Sequence, residues 1–270
     1  MMSQQTVGLI AGNGKFPFLF ARNARRKKNR IIAVGIKGDT SVLLKFFVDK
    51  LFWVGPGELR SLFGYFKNNG VRDVVMAGQV NPKNLFDERV VPDDEFQRLF
   101  LSMKDRKADT IFSAVADRLD QEGLKLLDST SLLGEHLAPR GTLTKRGPTE
   151  SELEDVAFGR SIAREMGSID IGQTVIIKEK AILAIEAMEG TDRAILRGGR
   201  IARFGAVVVK VSKPKQDNRF DVPVVGPRTI KYMIKCKCTC LSIEALKTLV
   251  IDQDKCVALA NEAGICIISS

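Results

Sequence analysis

The sequence predicts an α/β protein built from two domains. Its 270 residues exceed what one compact core ordinarily holds. In the first half, short apolar runs alternate with helix-patterned stretches, the rhythm of a parallel sheet flanked by helices. A loop from Asp128 to Thr149, with Pro139-Arg140-Gly141 and Arg146-Gly147-Pro148, then separates a first domain, 1–135, from a second, 136–270.

Thr6-Val7-Gly8-Leu9-Ile10-Ala11 reads as a buried strand that breaks at Gly12-Asn13-Gly14-Lys15. A helix follows from Phe16 to Lys28, with Pro17 in its first turn, where a missing N–H costs nothing. Strand, glycine turn and helix N-terminus together make a phosphate cradle. The turn fits neither standard fingerprint, because Pro17 stands where a dinucleotide site wants glycine and Phe16 where a P-loop wants Ser or Thr. Ile31–Ile36, Lys50–Val54 and Asp73–Gly78 supply three more strands, and Glu58–Lys67 a helix ending at Asn69-Gly70. Parallel sheets bind ligands beyond the carboxyl ends of their strands. The turns falling there are Gly12–Lys15, Gly55-Pro56-Gly57 and Gly78–Pro82, in which Gln79 and Asn81 are within reach of a base or ribose. Helices at Asp93–Lys104 and Ala108–Glu122 and a short strand at Leu124–Leu127 complete this half.

The second half opens with a helix from Glu150 to Met166 and a hairpin of Thr174–Ile177 with Ala181–Glu186. An arginine-rich helix from Asp192 to Phe204 is expected to be interrupted at Gly198-Gly199. Ala206–Val211 is a strand, followed by a polar loop to Phe220. A helix from Pro227, strands near Cys238–Ile243 and Leu249–Ile251, a helix to Ala263 and a strand at Ile265–Ile268 end the chain. Cys236, Cys238 and Cys240, spaced by two, are expected on one face of an extended strand as small buried side chains. With no second Cys/His cluster they do not make a zinc site.

Hydrophobic residues at 44% and charged residues at 27% are those of an ordinary globular protein. No apolar run approaches a membrane span and no signal peptide precedes the first strand, which points to the cytoplasm. Five cysteines fit a reducing compartment. The net charge of +10 favours an anionic partner, whether nucleic acid, an anionic membrane leaflet or a polyphosphate. The densest basic run, Arg22–Arg30, sits at a helix end and carries no interleaved aromatics, so nucleic acid is not the expected partner. His136, the only histidine, falls in the interdomain loop and reads as structural.

The stretch Glu186–Asp221 carries the chemistry. Within it lie Glu189, Gly190, Thr191 and Asp192, the arginines 193, 197, 200 and 203, Lys213 and finally Asp221. Carboxylates, a hydroxyl, a free glycine backbone and fixed cations are what a magnesium-assisted phosphoryl reaction needs. Read locally, the same Gly190-Thr191-Asp192 would equally turn the chain and cap a helix.

Val7–Gly14, Ala77-Gly78-Gln79-Val80, Asp170-Ile171-Gly172-Gln173, Glu186–Asp192 and Asp221-Val222-Pro223 with Gly226 together resemble the UDP-2,3-diacylglucosamine pyrophosphatases of the LpxI type, in order over nearly the whole chain. The resemblance implies a Rossmann-like N-terminal domain and a distinct mixed α/β C-terminal domain with a cleft between them. It implies Mg2+-assisted hydrolysis of UDP-2,3-diacylglucosamine to UMP and 2,3-diacylglucosamine 1-phosphate, with water attacking the phosphorus on the sugar side. Asp221 matches the family's essential aspartate, as metal ligand or activator of water. Asp192 is the second metal candidate, Glu189 joins it as a catalytic carboxylate, and Lys213 neutralises phosphate charge. Gly12, Asn13, Gly14, Gly78, Gln79, Gln173, Gly190 and Thr191 are the substrate-contacting candidates. The resemblance also implies a homodimer, and the charge a peripheral contact with the inner-membrane leaflet. A nicotinamide-dependent oxidoreductase, from the strand-glycine-helix opening, and a basic nucleic-acid-binding protein are the alternatives.

Overall fold

The computed structural model describes residues 5–80, 91–105 and 107–270, so Asn81 lies outside the described residues. The chain divides into two compact units. One holds residues 1–133 together with Asn218–Asp221, and the other Gly134–Asp217 and Val222–Ser270.

The first unit is a five-stranded parallel sheet of β1 (Thr6–Ala11), β2 (Arg30–Ile36), β3 (Lys50–Val54), β4 (Asp73–Ala77) and β5 (Lys125–Leu126), in the order β3-β2-β1-β4-β5. β1 is central and paired on both sides, which is why its sequence is continuously apolar and not alternating. The helices are α1 (Phe16–Arg26), α2 (Leu59–Asn68), α3 (Asp94–Ser102) and α4 (Ala108–Gln121). Leu62, Phe63 and Phe66 of α2 and Val115 and Leu119 of α4 share a core with Ile32, Val34 and Val74 of the sheet. Crossovers leave β1 towards β2 on one side and reach β4 on the other, so the connections reverse direction between β1 and β4. In parallel sheets that reversal opens a crevice at the carboxyl ends of the strands.

The second unit is a six-stranded mixed sheet in the order β6-β13-β11-β9-β7-β8. Its strands are β6 (Gly141–Thr142), β7 (Thr174–Lys178), β8 (Ala181–Ile185), β9 (Val207–Lys210), β11 (Cys240–Ile243) and β13 (Cys266–Ser269); β10 (Val224–Val225) and β12 (Leu249–Val250) form a separate parallel pair. Its helices are α5 (Glu150–Ser168), α6 (Thr191–Ala202), α7 (Pro227–Lys235) and α8 (Gln253–Glu262). The period of two along each strand divides two cores. Ile176, Val208, Leu241 and Ile267 face residues of α6, α7 and α8, whereas Val175, Ile177, Val207, Val209, Cys240 and Cys266 face Val156 and Ala163 of α5. A capping box starts α5, with Thr149 and Glu152 each accepting the other's amide.

Three expectations need correction. α6 runs unbroken through Gly198-Gly199, because a Cβ on Gly198 would lie 2.7 Å from Ile176 Cβ and one on Gly199 2.4 Å from Cys236 Cβ. These glycines let the helix approach its neighbours closely and do not end it. The cysteines do not share a strand face. Cys236 closes α7, Cys238 follows a left-handed Lys237, and only Cys240 enters β11, although all are buried. Finally, the loop after residue 128 contributes the edge strand β6, antiparallel to β13, which its Pro- and Gly-rich sequence conceals.

Candidate active site

In the first unit, β1 and β4 end in interlocking turns. Gly12 N donates to Ala77 O at 2.8 Å, and Asn13 and Gln79 exchange backbone bonds of 2.7 and 3.2 Å. A Cβ on Gly12 would lie 2.7 Å from Gln79 O. One on Gly78, already at φ +94°, would lie 2.6 Å from Asn13 O. Both glycines are therefore demanded by the close approach, while Gly14, at φ +91°, faces open space. Asn13, Gly14, Gly78 and Gln79 are exposed at the reversal point, and α1 begins beside them with no side chain capping its amides. That leaves the positive end of α1 open to an anion.

Asp221 belongs to this same unit by packing. Ser129 N donates to Asn218 O at 2.9 Å, and the Ser129 hydroxyl lies 2.7 Å from both Met76 O and Arg219 O. Phe220 stacks on Phe112 of α4 with ring centroids 5.7 Å apart. Since Met76 is next to last in β4, these contacts hold the strap that carries Asp221 at the carboxyl end of the sheet, where the glycine turns also lie.

The second unit gathers the other candidates at one sheet edge. β7 runs antiparallel to both β8 and β9, with Thr174 opposite Lys210 and Val175 opposite Ile185. The start of β7 and the ends of β8 and β9 therefore coincide. Gln173 precedes β7, Glu186 follows β8, and Lys210 ends β9, with Lys213 just beyond. Lys210 is 4% exposed; its Nζ donates to Thr191 Oγ1 at 2.9 Å and Thr174 Oγ1 at 3.3 Å and lies 3.7 Å from Glu186 Oε2. The Thr191 hydroxyl in turn donates to Glu186 Oε1 at 2.8 Å. A Cβ on Gly172 would lie 2.0 Å from Glu186 O, so the turn before Gln173 is pressed onto the same residue.

Gly190, at φ +83°, starts α6 with no side-chain cap. Asp192 in the first turn meets the start of α7, with Arg228 Nε 2.7 Å from Oδ2 and the Thr229 hydroxyl 3.3 Å from Oδ1. Burial raises the Asp192 carboxyl above the usual range, against the pull of Arg228, Thr229 and Lys210. Arg228 also lines a concavity with Lys231, Tyr232 and Lys235. Glu189 instead closes its own turn, accepting from Ala187 N and Arg197. Burial raises its carboxyl, but Arg197 and backbone amides outweigh that and lower it. Lys213 Nζ donates to Asp170 Oδ1 at 2.6 Å, while Glu244, after β11, accepts from Ser212 N and fixes the loop that carries Lys213.

Gln173, Glu189, Gly190, Thr191, Asp192 and Lys213 thus lie in the second unit, and Gly12, Asn13, Gly14, Gly78, Gln79 and Asp221 in the first. Sequence reasoning missed Lys210, Thr174, Arg228 and Thr229. Lys210 had a readable signal, a charge at the end of the apolar run Ala206–Val209, which a strand buries only with partners. Among the described residues no three His, Cys, Asp or Glu side chains converge on a metal position. Mg2+ is commonly held by one or two carboxylates and the substrate's own phosphates, and the hard oxygen donors of Asp192 and Thr229 suit that mode.

The family model described as the LpxI N-terminal domain matches residues 6–136, and that of the LpxI C-terminal domain matches residues 139–268. UDP-2,3-diacylglucosamine pyrophosphatase LpxI of Caulobacter vibrioides is 29% identical over 273 residues, covering 97% of this chain and 96% of its own length. Two solved structures show a distant likeness. Rhizobium etli pyruvate carboxylase T882A with acetyl coenzyme A is 12% identical with a TM-score of 0.29, covering 71% of this chain and 17% of that one. Campylobacter jejuni biotin carboxylase is 11% identical with a TM-score of 0.25, covering 73% and 42%. Both family domains are matched in order across nearly all of the sequence, and the chain belongs to the LpxI family.

Proposed function

We propose that the chain hydrolyses the diphosphate of UDP-2,3-diacylglucosamine, releasing UMP and 2,3-diacylglucosamine 1-phosphate. The observation that carries this reading is the uncapped start of α6 beside Asp192, Arg228 and the buried Lys210, backed by a relative named for this activity. A diphosphate entering a protein site needs its charge met by amides and fixed cations. The α6 amides, Arg228 and Lys213 supply them. Lys210 and Glu186 fix the Thr191 hydroxyl, and with it the first turn of α6, before substrate arrives. Gly12–Gly14 and Gly78-Gln79, with the open end of α1, take the nucleotide portion.

Asp221, carried by the first unit, is assigned to taking the proton of the attacking water or to holding Mg2+, and Asp192, carried by the second, is the separate candidate for a metal ligand. When bound, the ion would neutralise phosphoryl oxygens and strengthen the phosphorus as an electrophile. Water forms a P–O bond to the phosphorus on the sugar side, the bond from that phosphorus to the bridging oxygen breaks, and UMP leaves with that oxygen.

The test is hydrolysis in 18O-enriched water with Mg2+ and with EDTA, products weighed by mass spectrometry. The label is expected in the lipid 1-phosphate alone, release should stop with EDTA, and Asp221→Asn should slow turnover by about 10²–10⁴ while keeping its fold. Label in UMP would move the attack to the other phosphorus. No release by folded parent protein would end the hydrolase reading.

A further inference from the structure

The 3-10 turn Val42–Phe46 in the first unit presents its apolar side chains outward. Val42, Leu43 and Phe46 are 65%, 57% and 66% exposed, and only Leu44 of the turn is buried. Three large apolar groups projecting from one short turn are unusual on a soluble surface. The turn is also held rigid: Ser41 caps it by accepting from Leu43 N at 3.3 Å, and Phe47 meets Phe18 of α1 edge-on at 5.2 Å.

Cations surround it. Arg25 Nη1 donates to Phe46 O at 3.3 Å, the Arg22 guanidinium lies 5.6 Å from the Phe47 ring centre, and Lys45 Nζ lies 5.0 Å from that of Phe46. These contacts pin the turn against the end of α1, where Arg25, Arg26, Lys27 and Lys28 follow one another, all exposed, and the run Arg22–Arg30 contains no carboxylate. Asp49, the nearby acid after the turn, is committed to the Ile31 amide at 2.8 Å.

We propose that this turn and the end of α1 form a docking surface for an anionic lipid bilayer, with Val42, Leu43 and Phe46 entering the headgroup region and the surrounding Arg and Lys meeting lipid phosphates. Charge complementarity selects this occupant. A second copy of the chain would bring the same cations face to face across a twofold interface and repel. The turn already has its 3-10 form with these side chains exposed, so insertion requires no folding step.

The surface goes beyond the hydrolase reading and does not depend on it, since the probe is a vesicle without substrate. Full-length protein is sedimented with phosphatidylcholine vesicles and with vesicles containing about one quarter phosphatidylglycerol, at low salt and at about 0.5 M salt. Binding is expected only to the anionic vesicles and is expected to fall with salt. The variant Val42→Ser/Leu43→Ser/Phe46→Ser should raise the lipid concentration for half-maximal binding at least about tenfold, and so should Arg25→Glu/Arg26→Glu, with melting temperatures close to the parent's. Failure of the parent to sediment with anionic vesicles, or equal binding by the triple serine variant, would overturn the proposal. So would a concentration-dependent dimer, seen by light scattering, that the serine variant abolishes, because the face would then join two copies.

Discussion

Lys210 and Glu186 form a buried pair at the edge of the second sheet, Nζ 3.7 Å from Oε2, with side chains 4% and 11% exposed and the Thr191 hydroxyl bonded to both. Removing one charge strands the other. Lys210→Met is expected to cost about 3–5 kcal/mol in urea unfolding, and Lys210→Met/Glu186→Gln to recover much of it. A single variant as stable as the parent would show that the pair is not coupled.

The glycines of the first unit should separate by mechanism. Gly12→Ala places a methyl 2.7 Å from Gln79 O, a backbone atom that cannot swing aside, and is expected to cost about 1–3 kcal/mol and to weaken UMP binding through the displaced Gln79 turn. Gly14→Ala meets nothing within 4 Å and bears only the strain of φ +91°, of order 1 kcal/mol, leaving the Asn13–Gln79 bridge in place. Thermal melts and UMP titration calorimetry distinguish them.

Two carboxylates give opposite pH signatures. Burial raises Asp192, against Arg228, Thr229 and Lys210, so the folded state holds its proton more tightly than the unfolded state does. Its contribution to stability is full below the ordinary aspartate range and is lost as pH rises through the raised value. Asp192→Asn should therefore gain stability relative to the parent as pH goes from about 4 to about 7. Burial raises Glu244 too, but the Ser212 amide, Arg164 and Lys247 outweigh it and lower the group. Its contribution is present above the ordinary glutamate range and is lost as pH falls, so Glu244→Gln should be weaker than the parent at neutral pH, with the gap closing on acidification. Urea titrations across this range report both.

Arg146 grips Glu152 with two prongs, Nη1 to Oε2 at 2.8 Å and Nη2 to Oε1 at 2.9 Å, and donates to Gly264 O as well. Lysine keeps the charge but not the fork. Arg146→Lys is expected to cost about 1–3 kcal/mol in urea unfolding, and a cost near zero would show that charge alone suffices.

Much of this was legible in the sequence because it rests on local rules. The apolar strands of the first sheet and the hairpin of β7 and β8 each follow from period or turn residues within a short window. The glycines of α6 were misread because propensity sees only a weakened helix, while their purpose lies in Ile176 and Cys236, far along the chain. Cys236 and Cys238 were misread because spacing by two does not reveal the left-handed Lys237 that turns the chain before β11. Of the site, Glu186–Asp192 stood out as a motif. Lys210 and Arg228 join it only through antiparallel register and the meeting of two helix N-termini, which no window contains.

The strap Asn218–Asp221 also bears on how the protein is made. The Ser129 hydroxyl reaches a carbonyl 90 residues later in the chain. At ribosomal rates of about 5–20 residues per second, the first unit leaves the synthetic machinery about 5–20 s before its last piece exists. Through that interval Phe112 lacks the ring of Phe220, and the carboxyl edge of the first sheet lacks the segment that brings Asp221. Assembly of this part of the candidate site is therefore a late event in biogenesis, completed only after most of the second unit has been translated.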